Sequence, residues 1–359
     1  MKDTDPDISE QILQANQAES ESSDSLRSQR QHAKENSKLK SQLALAKQKL
    51  QQAEAELEVA ESKIDFIRAL GEPDSVDYEF LPKPPSGQAT AVIVLSDWHV
   101  EETVSAKTVN GLNEYDLVIA ERRIKKTFEN AVQLLESARH LSNIKDLVVA
   151  ILGDMITGYI HEELQENNSL SPTEACLFVQ DQIVSGIDFL EKHSGCKTIT
   201  IPTAIGNHGR TTHKMRISTA SQNSYEWMLY KQMEKYYKSR PKITWKVETG
   251  YHNWLNIQGK DVRFHHGDAI LFSGGIGGPT VPILRALSVW DQSRRANLDV
   301  FGHLHTNIWH DKFLLNNCLI GYSPLAIKWK FPYSEPSQLF FVVDKKRATP
   351  VIVQKIFCE

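Results

Sequence analysis

The sequence predicts a mixed α/β domain with an α-helical coiled coil on its N-terminal side. Apolar runs of strand length alternate with helical patterns in the first half of the domain, and its second half is rich in strand patterns. This mixture is typical of two packed sheets flanked by helices. A seven-residue apolar repeat without glycine or proline runs through residues 33–70, as expected for a coiled coil.

The N-terminal segments differ sharply in composition. Residues 1–32 are rich in Ser, Gln, Asp and Glu, so we predict a disordered polar tail. Residues 33–70 carry two apolar rows at heptad spacing: Leu43, Leu50, Leu57 and Ile64, and, offset by three, Leu39, Ala46, Ala53, Ala60 and Ile67. Over about four heptads, this pattern predicts a coiled coil that forms a homo-oligomer, with a single solvated helix or a helix lying on the host domain as the alternatives. Residues 71–89, which begin with a helix-stopping Gly-Glu-Pro, are predicted to be a linker.

Residues 90–359 form the predicted α/β domain. The continuous apolar run at 91–95 is typical of a strand buried on both faces. Helices are expected near 118–140 and 173–193. Further strands are expected at 147–152, 198–205, 254–257, 262–265, 298–301, 314–320 and 339–343.

Composition limits the class of protein. The 359 residues carry a net charge of −4, which argues against coating nucleic acid by bulk charge but permits a local basic groove. The four cysteines are widely separated, so neither a disulfide framework nor a cysteine zinc site is expected, and a reducing compartment fits best. An acidic start and the absence of a long apolar run predict a cytoplasmic protein without a membrane span.

Five short polar clusters form the candidate site, and four of them follow an apolar run. They are Asp97-Trp98-His99, Gly153-Asp154, Gly206-Asn207-His208, His266-Gly267-Asp268 and Gly302-His303-Leu304-His305. Carboxylate, imidazole and amide ligands suit divalent metal ions. Two such ions about 3.5–4 Å apart can hold both the attacking and the leaving oxygen of a phosphoryl displacement. The clusters therefore predict a two-metal phosphoesterase.

The position of the clusters at strand ends suggests which ligands act together. Alternate residues of an extended segment point the same way, so Asp97 and His99 are predicted to share one metal. His303 and His305 could also lie on one side, and the spacing leaves open which ion each one meets.

The ordered motifs resemble those of the calcineurin-like metallophosphoesterase superfamily across about residues 90–345. The resemblance implies a four-layer α/β/β/α sandwich with two divalent ions, for which manganese is our first choice and iron, zinc and magnesium also fit. It implies that Asp154 bridges the ions and that a metal-bound hydroxide attacks while His208 contacts the phosphate or protonates the leaving group. The implied ligands are Asp97, His99 and His305 for one ion, and Asn207, His266 and His303 for the other.

Two positions depart from the pattern of many family members. Thr157 stands at the second acid of Gly-Asp-x-x-Asp, and Gly209 replaces the acid that follows Gly-Asn-His. If that acid orients the histidine, either another group orients His208 here, with Asp268 and His161 as the candidates, or His208 is a weaker acid. The motif Gly-Asp-x-x-Asp-Arg-Gly of Ser/Thr protein phosphatases does not occur after Gly153, which makes that activity less favoured.

The segment after His208 suggests the substrate. Arg210, Lys214 and Arg216 lie close in sequence to predicted ligands and are predicted to bind an anion longer than one phosphate; an ordinary solvated loop is the alternative. The leading hypothesis is a nuclease-like phosphodiesterase acting on nucleic acid. A phosphomonoesterase acting on a nucleotide or phosphoprotein and a non-catalytic oligomeric scaffold are the rival hypotheses.

Overall fold

The computed structural model describes residues 8–71, 87–160, 162–272, 274, 275 and 277–359. The chain divides into two compact units, Met1–Leu81 and Pro82–Glu359. His161 and residues 72–86, which make up most of the predicted linker, lie outside the described residues, as do residues 1–7 of the predicted tail.

The first unit contains one long helix, α1 (Ile8–Leu70). Residues 8–32 were expected to be disordered, and in the structure they belong to this helix. A low apolar content limits burial, but it does not prevent a helix where glycine and proline are absent and where Gln, Glu, Ala, Leu and Arg together make up more than half of the residues. Side chains of the first heptad row are exposed, from 48% at Ile64 to 59% at Leu50, and their pairing in a coiled coil stays a prediction.

The second unit contains eleven strands and six further helices within the described residues. The strands are β1 (Gln88–Leu95), β2 (Asn143–Ile151), β3 (Thr198–Thr203), β4 (Ile243–Val247), β5 (Asn253–Ile257), β6 (Lys260–Phe264), β7 (Leu298–Phe301), β8 (Ile308–His310), β9 (Phe313–Leu315), β10 (Ser337–Asp344) and β11 (Ile352–Phe357). The helices are α2 (Leu117–Arg139), α3 (Glu162–Asn167), α4 (Pro172–His193), α5 (Tyr225–Tyr236), α6 (Thr280–Trp290) and α7 (Pro324–Trp329).

The strands form two sheets. The first has the order β11-β10-β1-β2-β3-β4 and the second the order β5-β6-β7-β9-β8. In the first sheet β1 to β4 are parallel neighbours, and β10 runs antiparallel to β1. In the second sheet β6, β7 and β9 are parallel. The predicted α/β class with two sheets is therefore confirmed.

Three apolar cores hold these elements together. The continuous apolar run of β1 makes this possible, because one set of its alternate side chains faces helices and the other faces the second sheet. Ile93 and Leu95 pack with residues of α2 and α4. Val92 and Val94 pack with residues of β6 and β7, including Phe264 and Val300. A smaller core joins the second sheet to α6.

Local sequence signals define several helix starts. Asp116 caps α2 by accepting a hydrogen bond from the Ile119 amide. Ser171 and Glu174 form a capping box at the start of α4, which satisfies two amides that the first helical turn leaves without partners. Ser224 caps α5 by accepting from the Trp227 amide.

One predicted strand is too long. The segment 314–320 was expected to be one strand, but β9 ends at Leu315. The next two residues are buried asparagines whose side-chain amides donate to Ser96 and Ser334. The Asn316 main-chain amide still donates to the Phe301 carbonyl oxygen of β7 at 2.7 Å, and the regular strand ends before it. The short strands β4, β8 and β11 and the helices α3, α5, α6 and α7 were not predicted.

Strand direction brings the polar clusters together. Parallel strands β1, β2 and β3 end at the same edge of the first sheet, and β6 and β7 end at one edge of the second. Each of the five clusters begins within about three residues of one of these strand ends. Among the described residues, no helix combines the length and the apolar character that crossing a membrane requires.

Candidate metal centre

The first group of candidate ligands consists of Asp97, His99 and His305. Their potential ligand atoms all lie within 4.8 Å of one another. Asp97 Oδ1 is 3.4 Å from His305 Nε2, and the rings of His99 and His305 are 5.2 Å apart. Asp97 is fully buried and His99 is 3% exposed. Three converging N and O atoms in a buried position can hold a divalent cation.

The second group consists of Asp154, His266 and His303, whose ligand atoms also lie within 4.8 Å of one another. Asp154 Oδ2 is 2.9 Å from His266 Nε2. Asn207 adjoins this group, because its Oδ1 is 3.2 Å from the same nitrogen. The structure thus separates His303 from His305, which the sequence alone could not assign, and it does so in the way that the family resemblance implies.

A left-handed backbone makes these side chains converge. Asp97, His99, Asp154, His303 and His305 have φ values of 55°, 49°, 51°, 70° and 47°. Side chains at positions 97 and 99 were expected to align by strand alternation, and this reason is wrong because both residues lie beyond β1 with a left-handed rather than an extended backbone. Asp and His tolerate this conformation better than bulky residues do, at a cost of order 1 kcal/mol or more each.

Two glycines allow the close approach of the ligand-bearing loops. A Cβ at Gly302 would collide with Asp97 Oδ2 and Ser96 Oγ, and a Cβ at Gly206 would collide with Asp154 Oδ1. No side chain fits at either position while the carboxylates keep their places. The glycines of Gly-His-x-His and Gly-Asn-His are therefore required for space.

The side chains present fit a bound cation. His99 Nδ1 lies 3.1 Å from Thr157 Oγ1, whereas His99 Nε2 is buried and has no hydrogen-bond partner within the described part of the chain. A buried polar atom without a partner costs about 1–3 kcal/mol. A metal ion bound by Asp97 and His305 would satisfy this nitrogen.

Burial and mutual charge set the ionisation of the carboxylates. Burial alone would raise the pKa of Asp154, but the positive charges of His266 and His208 hold it well below its usual value. Burial would also raise the pKa of Asp97, but the hydrogen bond and the charge of His305 lower it below its usual value. Burial would lower the pKa of His266, yet Asp154 raises it to about 10. Both carboxylates are therefore ionised and available as ligands.

His208 lies beside the two groups, with its ring 4.9 Å from that of His99. Its amide donates to Asp154 Oδ1 at 2.8 Å, and its Nδ1 is 3.0 Å from the Thr157 carbonyl oxygen. Because a carbonyl only accepts, Nδ1 must donate. The Thr157 carbonyl thus orients His208, the role for which Asp268 and His161 were candidates; Asp268 Oδ1 accepts a hydrogen bond from the Tyr251 hydroxyl.

Two buried glutamates that the sequence did not single out support these loops. Glu101 Oε1 accepts from the amides of Thr157 and Gly158 at 2.8 Å each. Glu226 accepts from amides of two ligand-bearing loops. Burial raises the pKa of Glu101 to about 7, and burial with the charge of Asp154 raises that of Glu226 to about 8. Glu101 could have been suspected from its place two residues after His99, but Glu226 has no such sequence signal.

The predicted substrate-binding cations differ in their surroundings. The Arg210 guanidinium donates to the carbonyl oxygens of Asn207, Thr212 and His213 at 2.7, 3.1 and 3.2 Å. It therefore holds its own loop together beside a candidate ligand. Lys214 and Arg216 are exposed.

The strand-end loops of the two sheets bring together the paired ligand groups of a candidate metal centre. No protein-family model and no curated protein matches the chain. The resemblance to the calcineurin-like superfamily lies in the order of its motifs and in the arrangement of these side chains.

Solved structures give distant similarities. Vps29 from Entamoeba histolytica, crystallised as a single mutant, is 11% identical, with 74% of this chain and 97% of that chain covered and a TM-score of 0.32. A predicted phosphoesterase from Streptococcus pneumoniae is 11% identical, with coverage of 74% and 97% and a TM-score of 0.29. A hypothetical protein from Pyrococcus horikoshii is 12% identical, with coverage of 75% and 87% and a TM-score of 0.34.

Replacing Thr157 by Val should weaken metal binding. The variant keeps the main-chain carbonyl that orients His208 but removes the hydroxyl that holds His99 Nδ1. Loss of such a partner typically costs 10- to 100-fold in metal affinity. Calorimetric titration with manganese should show this loss, and Thr244→Val, at an exposed position of β4, should bind as the unmodified protein does. Equal manganese affinities in the two variants would show that the Thr157 hydroxyl does not support metal binding.

Proposed function

We propose that the protein is a phosphodiesterase that depends on two divalent metal ions and hydrolyses nucleic acid. The observation that carries the proposal is the convergence of two three-residue ligand groups beside His208. Asp97, His99 and His305 would hold one ion. Asn207, His266 and His303 would hold the other, and the carboxylate of Asp154 would serve both.

Each part of the chain has a defined chemical task in this proposal. When bound, the ions polarise the phosphoryl group and make water available as a nucleophile near neutral pH. The chain fixes the ligands and excludes bulk water by burying Asp97 and Asp154. His208 uses Nδ1 to hold the Thr157 carbonyl, so Nε2 is the ring atom that can carry a proton to the leaving oxygen. Manganese suits the mixture of oxygen and imidazole ligands, as do iron, zinc and magnesium.

A loop that contains the short helix α7 and is tied to the first ligand group supports nucleic acid as the substrate. Residues 318–334 contain no acidic residue, and they expose Trp329 and Tyr333 by 54% and 52% together with Lys328 and Lys330. Exposed aromatic rings between cations are the usual means of binding a single strand by stacking and phosphate contacts.

The position of this aromatic and cationic loop follows from its anchors. Near its start, the Leu319 amide donates to the Asp97 carbonyl oxygen at 3.0 Å. At its end, the Asn317 side chain donates to Ser334 Oγ at 2.6 Å. Both ends of the loop are thus fixed near the segment that carries the first ligand group. A substrate of several nucleotides could contact the loop and the metal centre together.

The two-metal proposal predicts a specific loss in Asp154→Asn. An amide in place of the carboxylate still accepts the His208 amide proton, so the fold should persist, but its missing charge weakens the site for two dications. We expect a fall in turnover of about 100-fold or more with manganese. Single-stranded DNA, duplex DNA and a phosphate monoester should be assayed with manganese and with EDTA. Unchanged turnover in a folded variant would refute the shared role of Asp154, and preferential hydrolysis of the monoester would favour a phosphomonoesterase.

The substrate proposal predicts a salt-dependent effect of Lys214 and Arg216. Their joint replacement by Ala should slow oligonucleotide cleavage. It should also make the plot of log binding constant against log salt concentration less steep, by about 0.7 for each lost phosphate contact. Trp329→Ala should slow cleavage without changing the slope, because stacking is not ionic. Hydrolysis of a small phosphodiester should change little in either variant.

The matched control is Lys145→Ala with Lys197→Ala. These two exposed lysines lie at or near the starts of β2 and β3, away from the strand ends that carry ligands. If this pair has the same effect as Lys214 and Arg216, the cations act through total charge. If long and short diesters lose activity equally, no extended binding groove is needed.

We propose that copies of the chain assemble into a homo-oligomer through the heptad rows of α1. Leu50→Glu with Leu57→Glu should lower the oligomeric state measured by light scattering, because both residues lie in the first row. Leu45→Glu with Val59→Glu is the matched control, since these exposed apolar residues of α1 lie outside both rows. Deleting residues 1–75 should have the effect of the first pair and preserve metal binding. An unchanged particle mass after the deletion would exclude assembly through this segment.

A further inference from the structure

We infer that Glu226 is a positioning residue that fixes the distance between the loop carrying Asp154 and the loop carrying Asn207 and His208. The inference deepens the proposed function and rests on it for its catalytic meaning. Its physical basis is one buried carboxylate that joins two loops distant in sequence.

The carboxylate uses both oxygens for this purpose. Glu226 lies in the first turn of α5 and is fully buried. Its Oε1 accepts from the Met155 amide and its Oε2 from the Gly206 amide, both at 2.7 Å. Met155 directly follows Asp154, and Gly206 directly precedes Asn207. A displacement of either loop must therefore stretch one of these short hydrogen bonds or move the other loop with it.

Glu226 also occupies the space beside Gly209, where an acid is missing from the family pattern. A Cβ on Gly209 would lie 2.8 Å from Glu226 Cγ and 3.0 Å from its Cδ. The Tyr225 amide donates to the Gly209 carbonyl oxygen at 2.8 Å, which keeps the start of α5 against this loop. A carboxyl group from α5 thus lies in the space next to position 209.

A role in helix capping does not account for this geometry. An acidic residue in the first turn of a helix is favourable in any case, but Ser224 already caps α5 by accepting from the Trp227 amide. The Glu226 oxygens instead bind amides of two other segments. Those amides lie next to groups of the candidate second metal site, where Asn207 Oδ1 and Asp154 Oδ2 both approach His266 Nε2.

The test is Glu226→Gln, measured by manganese binding as well as by turnover. A carboxamide keeps one acceptor but turns an NH₂ toward an amide donor, so one of the two loops loses its anchor. We expect one manganese ion to bind as in the unmodified protein and the other to bind about 10- to 100-fold more weakly. The electron paramagnetic resonance signal of coupled manganese ions should fall accordingly, and kcat should fall while KM for an oligonucleotide is unchanged.

The matched control is Glu234→Gln, the same change at a partly exposed position of α5. It should leave both ions and kcat unaltered. A purely structural role for Glu226 predicts a lower melting temperature with normal manganese binding and normal kcat in each folded molecule, and that outcome would overturn the inference. If the unmodified protein binds two manganese ions but hydrolyses no ester, the proposed function fails while the binding data still decide the role of Glu226.

A second variant tests whether the carboxylate can be returned to position 209. Gly209→Asp alone should impair manganese binding, because its Cβ meets Glu226. Glu226→Ala opens this space, and Gly209→Asp added to Glu226→Ala should restore part of the lost affinity. The φ angle of Gly209 is outside the left-handed region, so the backbone accepts an aspartate there. If the double variant folds but binds manganese no better than Glu226→Ala alone, an aspartate at position 209 cannot take the place of Glu226.

Discussion

The candidate centre depends on the segment 152–157, which follows β2 and supplies Asp154. This segment also sets the orientation of three histidines through their Nδ1 atoms. The Leu152 carbonyl lies 2.7 Å from Nδ1 of His266, and Thr157 contacts the other two rings through its hydroxyl and its carbonyl. Each Nδ1 is engaged there, and this contact fixes the orientation of each ring within the candidate centre.

The segment keeps its shape because the hydrogen bonding of β1 and β2 continues beyond the ends of the strands. The Asp97 amide donates to the Gly153 carbonyl oxygen at 3.0 Å, and the His99 amide donates to that of Asp154 at 3.2 Å. The two loops therefore run side by side although three of their ligands have a left-handed backbone. Apolar packing between the sheets then holds the β6 and β7 loops against this pair.

The sequence could predict what depends on local pattern. The apolar runs predicted β1 and β2, and the ordered motifs predicted every side chain that the two ligand groups contain. It could not predict β4, whose five residues alternate between buried and exposed positions in too short a run to be distinctive. Glu226 was also beyond reach, because its partners at 155 and 206 come near it only through the fold.

Residues 8–32 show a different limit, because composition indicates whether a segment can bury apolar surface but not whether it is helical. Thr157 shows the same kind of limit within the site. Its place in the motif marked it as a departure from the family pattern. Only the structure shows that its hydroxyl contacts His99 and that its carbonyl oxygen accepts a hydrogen bond from His208.

The energetic cost of the centre argues against a purely structural role for these side chains. Asp97, His99, Asp154 and His266 are almost fully buried, and apolar residues of similar volume are often as stable as buried ionic groups, or more so. Left-handed backbone at five ligand positions adds further cost. Ion binding can offset these costs, because a ligand that binds only the folded state stabilises it. A scaffold that acts only through the helix α1 would need neither the ligands nor His208, whose ring is held in place beside them.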